Sequence, residues 1–179
     1  MQAVVYDRSG ATYCGRLWWM LKWAGHDNVA VLDGGWQAWQ AVGGQISSAA
    51  EPAHFQTNFL LGAELVRLVG AQLVASQLGR PIQTLVDARA ALRFKGEIEP
   101  IDPVAGHIPG ALNRPSGKNF LPNGKFKPAA QLKVEFLEML GNRDPSTVVH
   151  YCGSGVSALT NLIAMEVAGL GRNTLYAGS

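Results

Sequence analysis

Charge, cysteine and long apolar runs are all scarce in this chain. Charged residues are 16% of the 179 against 47% hydrophobic, and the net charge is only +2. So small an excess gives no electrostatic footing for nucleic acid or an anionic membrane surface as partner. The apolar share is that of a chain with a buried core, not of a disordered one. Lys22, Asp33 and Glu64 interrupt the richest apolar stretches, so none reaches the roughly 20 residues that span a bilayer. The opening Met1-Gln2-Ala3-Val4-Val5-Tyr6-Asp7 lacks a basic segment ahead of an apolar one, and no secretory leader is expected. Cys14 and Cys152 stand far apart, without a CxxC pair or metal-ligand spacing to a histidine. Neither a zinc site nor a disulfide framework follows from them. The expectation is a reduced, cytoplasmic protein with no metal and no cofactor.

What is present is a rhythm of short apolar runs and glycine-closed helices. Ala3–Tyr6 reads as a strand, 7–12 as a polar loop, Arg16–Ala24 as a helix capped by Gly25 and Val29–Leu32 as a second strand. A helix over Trp36–Val42 ends at Gly43-Gly44. Residues 44–57 are polar and aperiodic and read as a linker. The spacing of Leu65, Leu68, Val69 and Leu73 predicts one amphipathic helix over Gly62–Leu78. Gln83–Val86 is a strand ending at Asp87, and a long loop holding Pro100, Pro103, Pro109 and Pro115 leads to a helix over Pro128–Leu140. Thr147–Tyr151 is a strand, 152–157 a loop, Ala158–Ala168 a helix and Thr174–Tyr176 the last strand. Strands alternating with helices predict an α/β fold with a parallel sheet flanked by helices.

The chain also repeats itself. Val4-Val5-Tyr6-Asp7 lies over Val149-His150-Tyr151-Cys152, Ala24-Gly25 over Ala168-Gly169 and Gly34 over Gly178, with one extra residue in the first loop. Strand, loop, helix and strand recur in the same order, and Asp7 stands where Cys152 stands in the second copy. The copies are unequally represented: five residues precede the first strand's end, whereas residues 58–146 lead into the second strand. The pattern predicts tandem domains with both ends cut through: 1–43 the C-terminal part of a first domain, 44–57 a linker, and 58–179 a second domain lacking its C-terminal end.

The second copy carries the chemistry. Cys152-Gly153-Ser154-Gly155-Val156-Ser157-Ala158 joins a strand to a helix. Its glycines let the backbone turn tightly with successive N–H groups facing inward, and the helix N-terminus adds positive potential. Such a cradle favours thiolate over thiol, and the thiolate is the nucleophile. The competing reading of Cys152 is a small buried residue. A phosphatase or arsenate reductase shares the cradle but needs five residues between the cysteine and an arginine that clamps the oxyanion, and Ala158 holds that place.

His150–Ala158 resembles the active-site loop of the rhodanese superfamily, and Asp87-Ala88-Arg89, Arg93-Phe94-Lys95-Gly96 and Gly106-His107-Ile108-Pro109-Gly110-Ala111 resemble its other signatures. Arg16–Leu21 and Val31–Trp36 resemble the catalytically silent N-terminal domain of its tandem members. The resemblance implies a sulfurtransferase in which Cys152 takes sulfur from a small-molecule donor as a persulfide. The persulfide then passes it to cyanide, a small thiol or thioredoxin. It implies that Arg93 contacts the donor carboxylate, that Gly153, Gly155, Val156 and Ser157 shape the donor site, and that Ser154 assists proton transfer or merely bonds its own backbone. Thiosulfate-specific relatives carry basic residues after the cysteine. The neutral Gly153-Ser154 pair instead implies 3-mercaptopyruvate as preferred donor, with thiosulfate, or a non-catalytic sulfur-relay module, as alternatives. Asp102 falls near the place of a second donor-binding arginine of animal relatives. His107 reads as a structural loop residue and Cys14 as structural. Trp18, Trp19, Trp23 and Trp36 read as packing, and the Asp87–Arg89 pair either as a site ion pair or as a loop anchor.

Overall fold

Short β-branched runs between turn glycines are too brief to stand alone, and they pair through βαβ crossovers into parallel sheets. The computed structural model describes residues 2–50, 52 and 58–178. In chain order the elements are β1 (Ala3–Val5), α1 (Cys14–Trp23), β2 (Val29–Val31), α2 (Gly35–Ala41), β3 (Arg67–Val69), α3 (Ala71–Ser76), β4 (Thr84–Asp87), α4 (Ala91–Phe94), β5 (Leu112–Asn113), α5 (Ala129–Leu140), β6 (Val148–Tyr151), α6 (Ala158–Val167) and β7 (Thr174–Tyr176). Two short 3₁₀ turns, Ser116–Asn119 and Pro145–Thr147, lead into Phe120 and β6. Strands β1 and β2 form a two-stranded sheet, and the other five form a second sheet ordered β3-β7-β6-β4-β5. Every pairing between these strands is parallel. The expected α/β architecture is therefore present.

The five-stranded sheet alternates its side chains between two cores. Val86 and Val148 point to the face covered by Leu132, Phe136 and Leu140 of α5 and Ala164 and Met165 of α6. Leu85, Val149 and Tyr151 point to the other, with Val74 of α3 and Tyr176. A third core joins the sheets: Val5, Cys14, Trp18, Trp19 and Val29 pack against Leu159, Leu162 and Ile163. Helix α6 is thus covered on both sides, and Ala158 through Met165 are all buried.

The repeat read from the sequence is a structural one. Val4 pairs with Ala30 and Val5 with Val31, as Val149 pairs with Thr174 and His150 with Leu175. Residues 44–50 hold no helix or strand, and the rest of the expected linker, save Pro52, lies outside the described residues.

One expectation fails. The single helix over Gly62–Leu78 is a strand, a turn and a short helix. Gly70 takes an extended conformation (φ −94°, ψ 167°) between β3 and α3. The free edge of β7 recruits Arg67–Val69 in parallel register. An i, i+3, i+4 spacing fits one helix and also a strand followed by a helix. Only the available sheet edge separates the two. The proline-rich loop also contains more order than expected: α4, β5 and a 3₁₀ turn.

Candidate active site

Strand β6 lies inside the five-stranded sheet, and its carboxyl end delivers Cys152 to the crevice where ligands of parallel sheets bind. The residue is 2% exposed. It nonetheless forms part of the wall of an open cleft of about 360 Å³, together with Arg89, Asp102, Gly106, His107 and Tyr151.

The loop amides aim at the sulfur. Ser154 N–H donates to Cys152 Sγ at 3.4 Å. Burial alone would raise the thiol pKa. The Ser157 hydroxyl and the amides of Ser154, Ala158 and Ser157 outweigh it and hold the pKa below its ordinary value. Cys14 is the internal contrast: burial, with the Asp7 carboxylate beside it, pushes that thiol up to about 12.

The first copy repeats the cradle around a permanent anion. Asp7 Oδ1 accepts from the amides of Ser9 (2.8 Å) and Ala11 (3.0 Å), and Oδ2 from those of Tyr13 (2.8 Å) and Cys14 (3.0 Å). In the repeat, Ser9, Tyr13 and Cys14 stand where Ser154, Ser157 and Ala158 stand, and α1 and α6 begin at equivalent residues. Burial opposes ionisation of Asp7, but its four amide bonds keep its pKa low. The ring of amides therefore belongs to the strand–loop–helix geometry, and the side chain at its centre determines what it does.

The expected loop residues take distinct parts. Gly155 has φ +71°, and a side-chain carbon there would sit 2.8 Å from the Ala177 backbone, so only glycine lets the loop lie against the end of β7. Gly153 is open: a carbon built on it meets Arg93 at 3.6 Å and Asp102 at 3.8 Å. The Val156 carbonyl accepts from the Leu159 amide at 3.1 Å and starts α6. Ser154 acts at the sulfur through its amide, and Ser157 helps hold the thiol pKa below its ordinary value.

Arg93 lies beside this loop inside an ion cluster. Its Nη2 is 2.7 Å from Glu99 Oε1 and 3.0 Å from Asp102 Oδ2. Arg89 donates from Nε and Nη2 to the buried Asp87 and, at 2.6 Å, to the Gly106 carbonyl, so the Asp87–Arg89 pair anchors the loop wall. The Arg93 guanidinium foremost, then the amides of Asp102 and Ile101, hold the Glu99 carboxyl down to about 2. Glu99 and the Arg93–Asp102 contact are absent from the sequence reading. They sit in an aperiodic loop whose path, not whose pattern, brings them to Arg93. His107 stacks on Phe94 with ring centroids 3.7 Å apart and bonds its carbonyl through Nδ1 at 2.7 Å, as a structural residue would. Among the described residues no group of histidines, cysteines and acids could hold a metal, and no helix is long and apolar enough to cross a membrane. The arrangement can stabilise a sulfur anion at the end of an open cleft with a guanidinium alongside.

Known proteins share this frame. A family model described as a rhodanese-like domain matches residues 1–42 and 70–179. The "Probable 3-mercaptopyruvate sulfurtransferase" of Pseudomonas aeruginosa is 43% identical over 182 residues, covering 99% of this chain and 63% of that protein. The 3-mercaptopyruvate sulfurtransferase of Escherichia coli K12 is 32% identical over 179 residues, covering 98% and 62%. The crystal structure of SseA from Escherichia coli, described as a "Rhodanese" fold, superposes with a TM-score of 0.80 at 28% identity, covering 99% of this chain and 66% of that one. The chain thus spans less than two thirds of the curated relatives it matches.

Proposed function

The chain belongs to the rhodanese-like family, and on that premise we propose that it is a sulfurtransferase working through a persulfide on Cys152. The observation that carries the reading is the thiol held below its ordinary pKa by inward-facing amides at the end of an open cleft. A thiolate there attacks the outer sulfur of the donor. With 3-mercaptopyruvate, the new S–S bond forms as the C–S bond breaks. The electron pair passes to the donor carbon, which takes the proton given up by the donor thiol and leaves as pyruvate. With thiosulfate the leaving group is sulfite. The Cys152–S–S⁻ product keeps its charge on the outer sulfur, within reach of the same cradle. A thiolate or cyanide then attacks that sulfur and regenerates Cys152 as thiolate. A small thiol or thioredoxin fits the acceptor role, and a reducing, cytoplasmic setting suits two free cysteines.

Residues 58–179 carry the catalytic unit in this reading, and 1–43 the silent one, whose cradle is filled by Asp7. Gly153, Gly155, Val156 and Ser157 shape the donor site, and Arg93 receives the donor carboxylate by a two-point guanidinium contact. The neutral Gly153-Ser154 pair favours the monoanionic keto-acid over the dianionic thiosulfate. The test treats folded protein with each donor and weighs it. The expected product is a gain of one sulfur atom on Cys152, lost in Cys152→Ser, with kcat/KM higher for 3-mercaptopyruvate than for thiosulfate. Folded protein that takes up no sulfur from either donor would be a binding module and not an enzyme.

A further inference from the structure

Arg93, the cation to which the proposed reading gives the donor carboxylate, lies behind the cleft wall and already carries two carboxylates. Arg93 Nη2 contacts both Glu99 and Asp102, and Asp102 Oδ2 lies 3.8 Å from Arg89 Nη1. The two carboxylates are held very differently. Glu99 has a side chain 5% exposed. Its oxygens accept from Arg93 Nη2 and Nε, from Arg89 Nη1 and from the amides of Ile101 and Asp102. Asp102 is 28% exposed, forms part of the cleft wall beside Cys152, and holds Arg93 through one oxygen at 3.0 Å. Its pair with Arg93 abuts the nucleophile's loop, since a carbon on Gly153 would touch both partners.

Charge makes the occupancy consequential. Two guanidinium groups, Arg89 and Arg93, face three carboxylates, Asp87, Glu99 and Asp102. Cys152 as thiolate adds a further negative charge. An anionic donor entering this cluster meets net repulsion unless one carboxylate gives way. Asp102 is the one whose withdrawal leaves no buried donor unpaired, because Glu99 still satisfies Arg93.

We propose, on the reading that Arg93 anchors the donor carboxylate, that Asp102 is an internal stand-in for that carboxylate and sets the affinity for keto-acid donors. It holds the Arg93 guanidinium in the empty site and exchanges one carboxylate for another as the donor binds. The apparent affinity is then the intrinsic one reduced by the fraction of sites in which Asp102 has withdrawn.

The test compares wild type with the isosteric Asp102→Asn, alone and combined with Arg93→Ala, in the whole chain. Asp102→Asn is expected to lower KM for 3-mercaptopyruvate and the inhibition constant of pyruvate by about fivefold, the scale of one partly exposed ion pair. Its kcat stays within about twofold, because Asp102 does not touch the sulfur. The gain vanishes in the Arg93→Ala background. An unchanged or raised KM, or a gain that survives without Arg93, overturns the proposal. If the amide variant does not fold, Asp102→Ala gives the same comparison through pyruvate inhibition. Sulfur uptake on wild-type Cys152, read first by mass, separates the two levels. Without uptake the sulfurtransferase reading falls, and with it this inference; with uptake and an unmoved KM, the stand-in alone falls.

Discussion

Cys152 and Cys14 are both buried, yet their surroundings drive them in opposite directions. Cys152 follows a strand and its sulfur accepts from the Ser154 amide, with Ser157 and the Ala158 amide also lowering its pKa, whereas Cys14 is the first residue of α1, with the Asp7 carboxylate for a neighbour. At pH 7–8 a thiol whose pKa is depressed carries more thiolate than a free cysteine, while one near 12 stays protonated. Limiting iodoacetamide should therefore alkylate Cys152 far faster than Cys14. The Cys152 rate should rise with pH and level off below the ordinary thiol range. Peptide mapping across pH 5–9 checks this, and equal labelling of the two cysteines would contradict the cradle. The place of Cys152 between a strand and a helix was legible in the sequence because the apolar run before it and the glycines after it are local signals. The carboxylates on Arg93 were not, since Glu99 and Asp102 reach it only through the path of an aperiodic loop.

At the scale of elements, α6 ties the site to both cores. The Ala158 amide at its N-terminus helps hold the Cys152 pKa down, and its body is packed against the sheet on one side and α1 on the other. The two helices meet at Gly15, where an added carbon would lie 3.2 Å from Ile163 Cδ1 and 3.5 Å from Leu159 Cβ. Gly15→Leu should force the helices apart and destabilise the chain by roughly 1–3 kcal/mol, read from denaturant unfolding. Unchanged stability would mean that the helix contact is looser than this packing. The same scale produced the failed expectation over Gly62–Leu78. Its apolar spacing is compatible with two local structures, and the choice fell to an edge of β7 contributed from more than a hundred residues away.

For the whole molecule, the shared core packs the two sheets together. Trp18 and Trp19 pack in the same cluster as Leu159, Leu162 and Ile163. An ion network tightens the far end: Lys22 Nζ is 2.8 Å from Asp27 and 3.3 Å from Glu166, and Arg172 Nη2 is 2.7 Å from Asp27. All five tryptophans lie in the first 43 residues, so their fluorescence reports on the first copy, while far-ultraviolet circular dichroism is dominated by the helices of the second. The two signals should show a single coincident transition on heating. Fluorescence changing at a lower temperature would show that the first copy unfolds separately and that α6 does not couple them.

The sequence by itself determined the class of fold, the duplicated strand–loop–helix–strand, the place of Cys152 in the second copy and of Asp7 in the first. Those properties are local: they follow from apolar periodicity, turn glycines and a motif of adjacent residues. Only the tertiary structure decided which segment joined β7 as an edge strand and which carboxylates occupy Arg93. Each of those depends on groups distant in sequence meeting in space, where sheet pairing and charge neutralisation, not local preference, select the outcome.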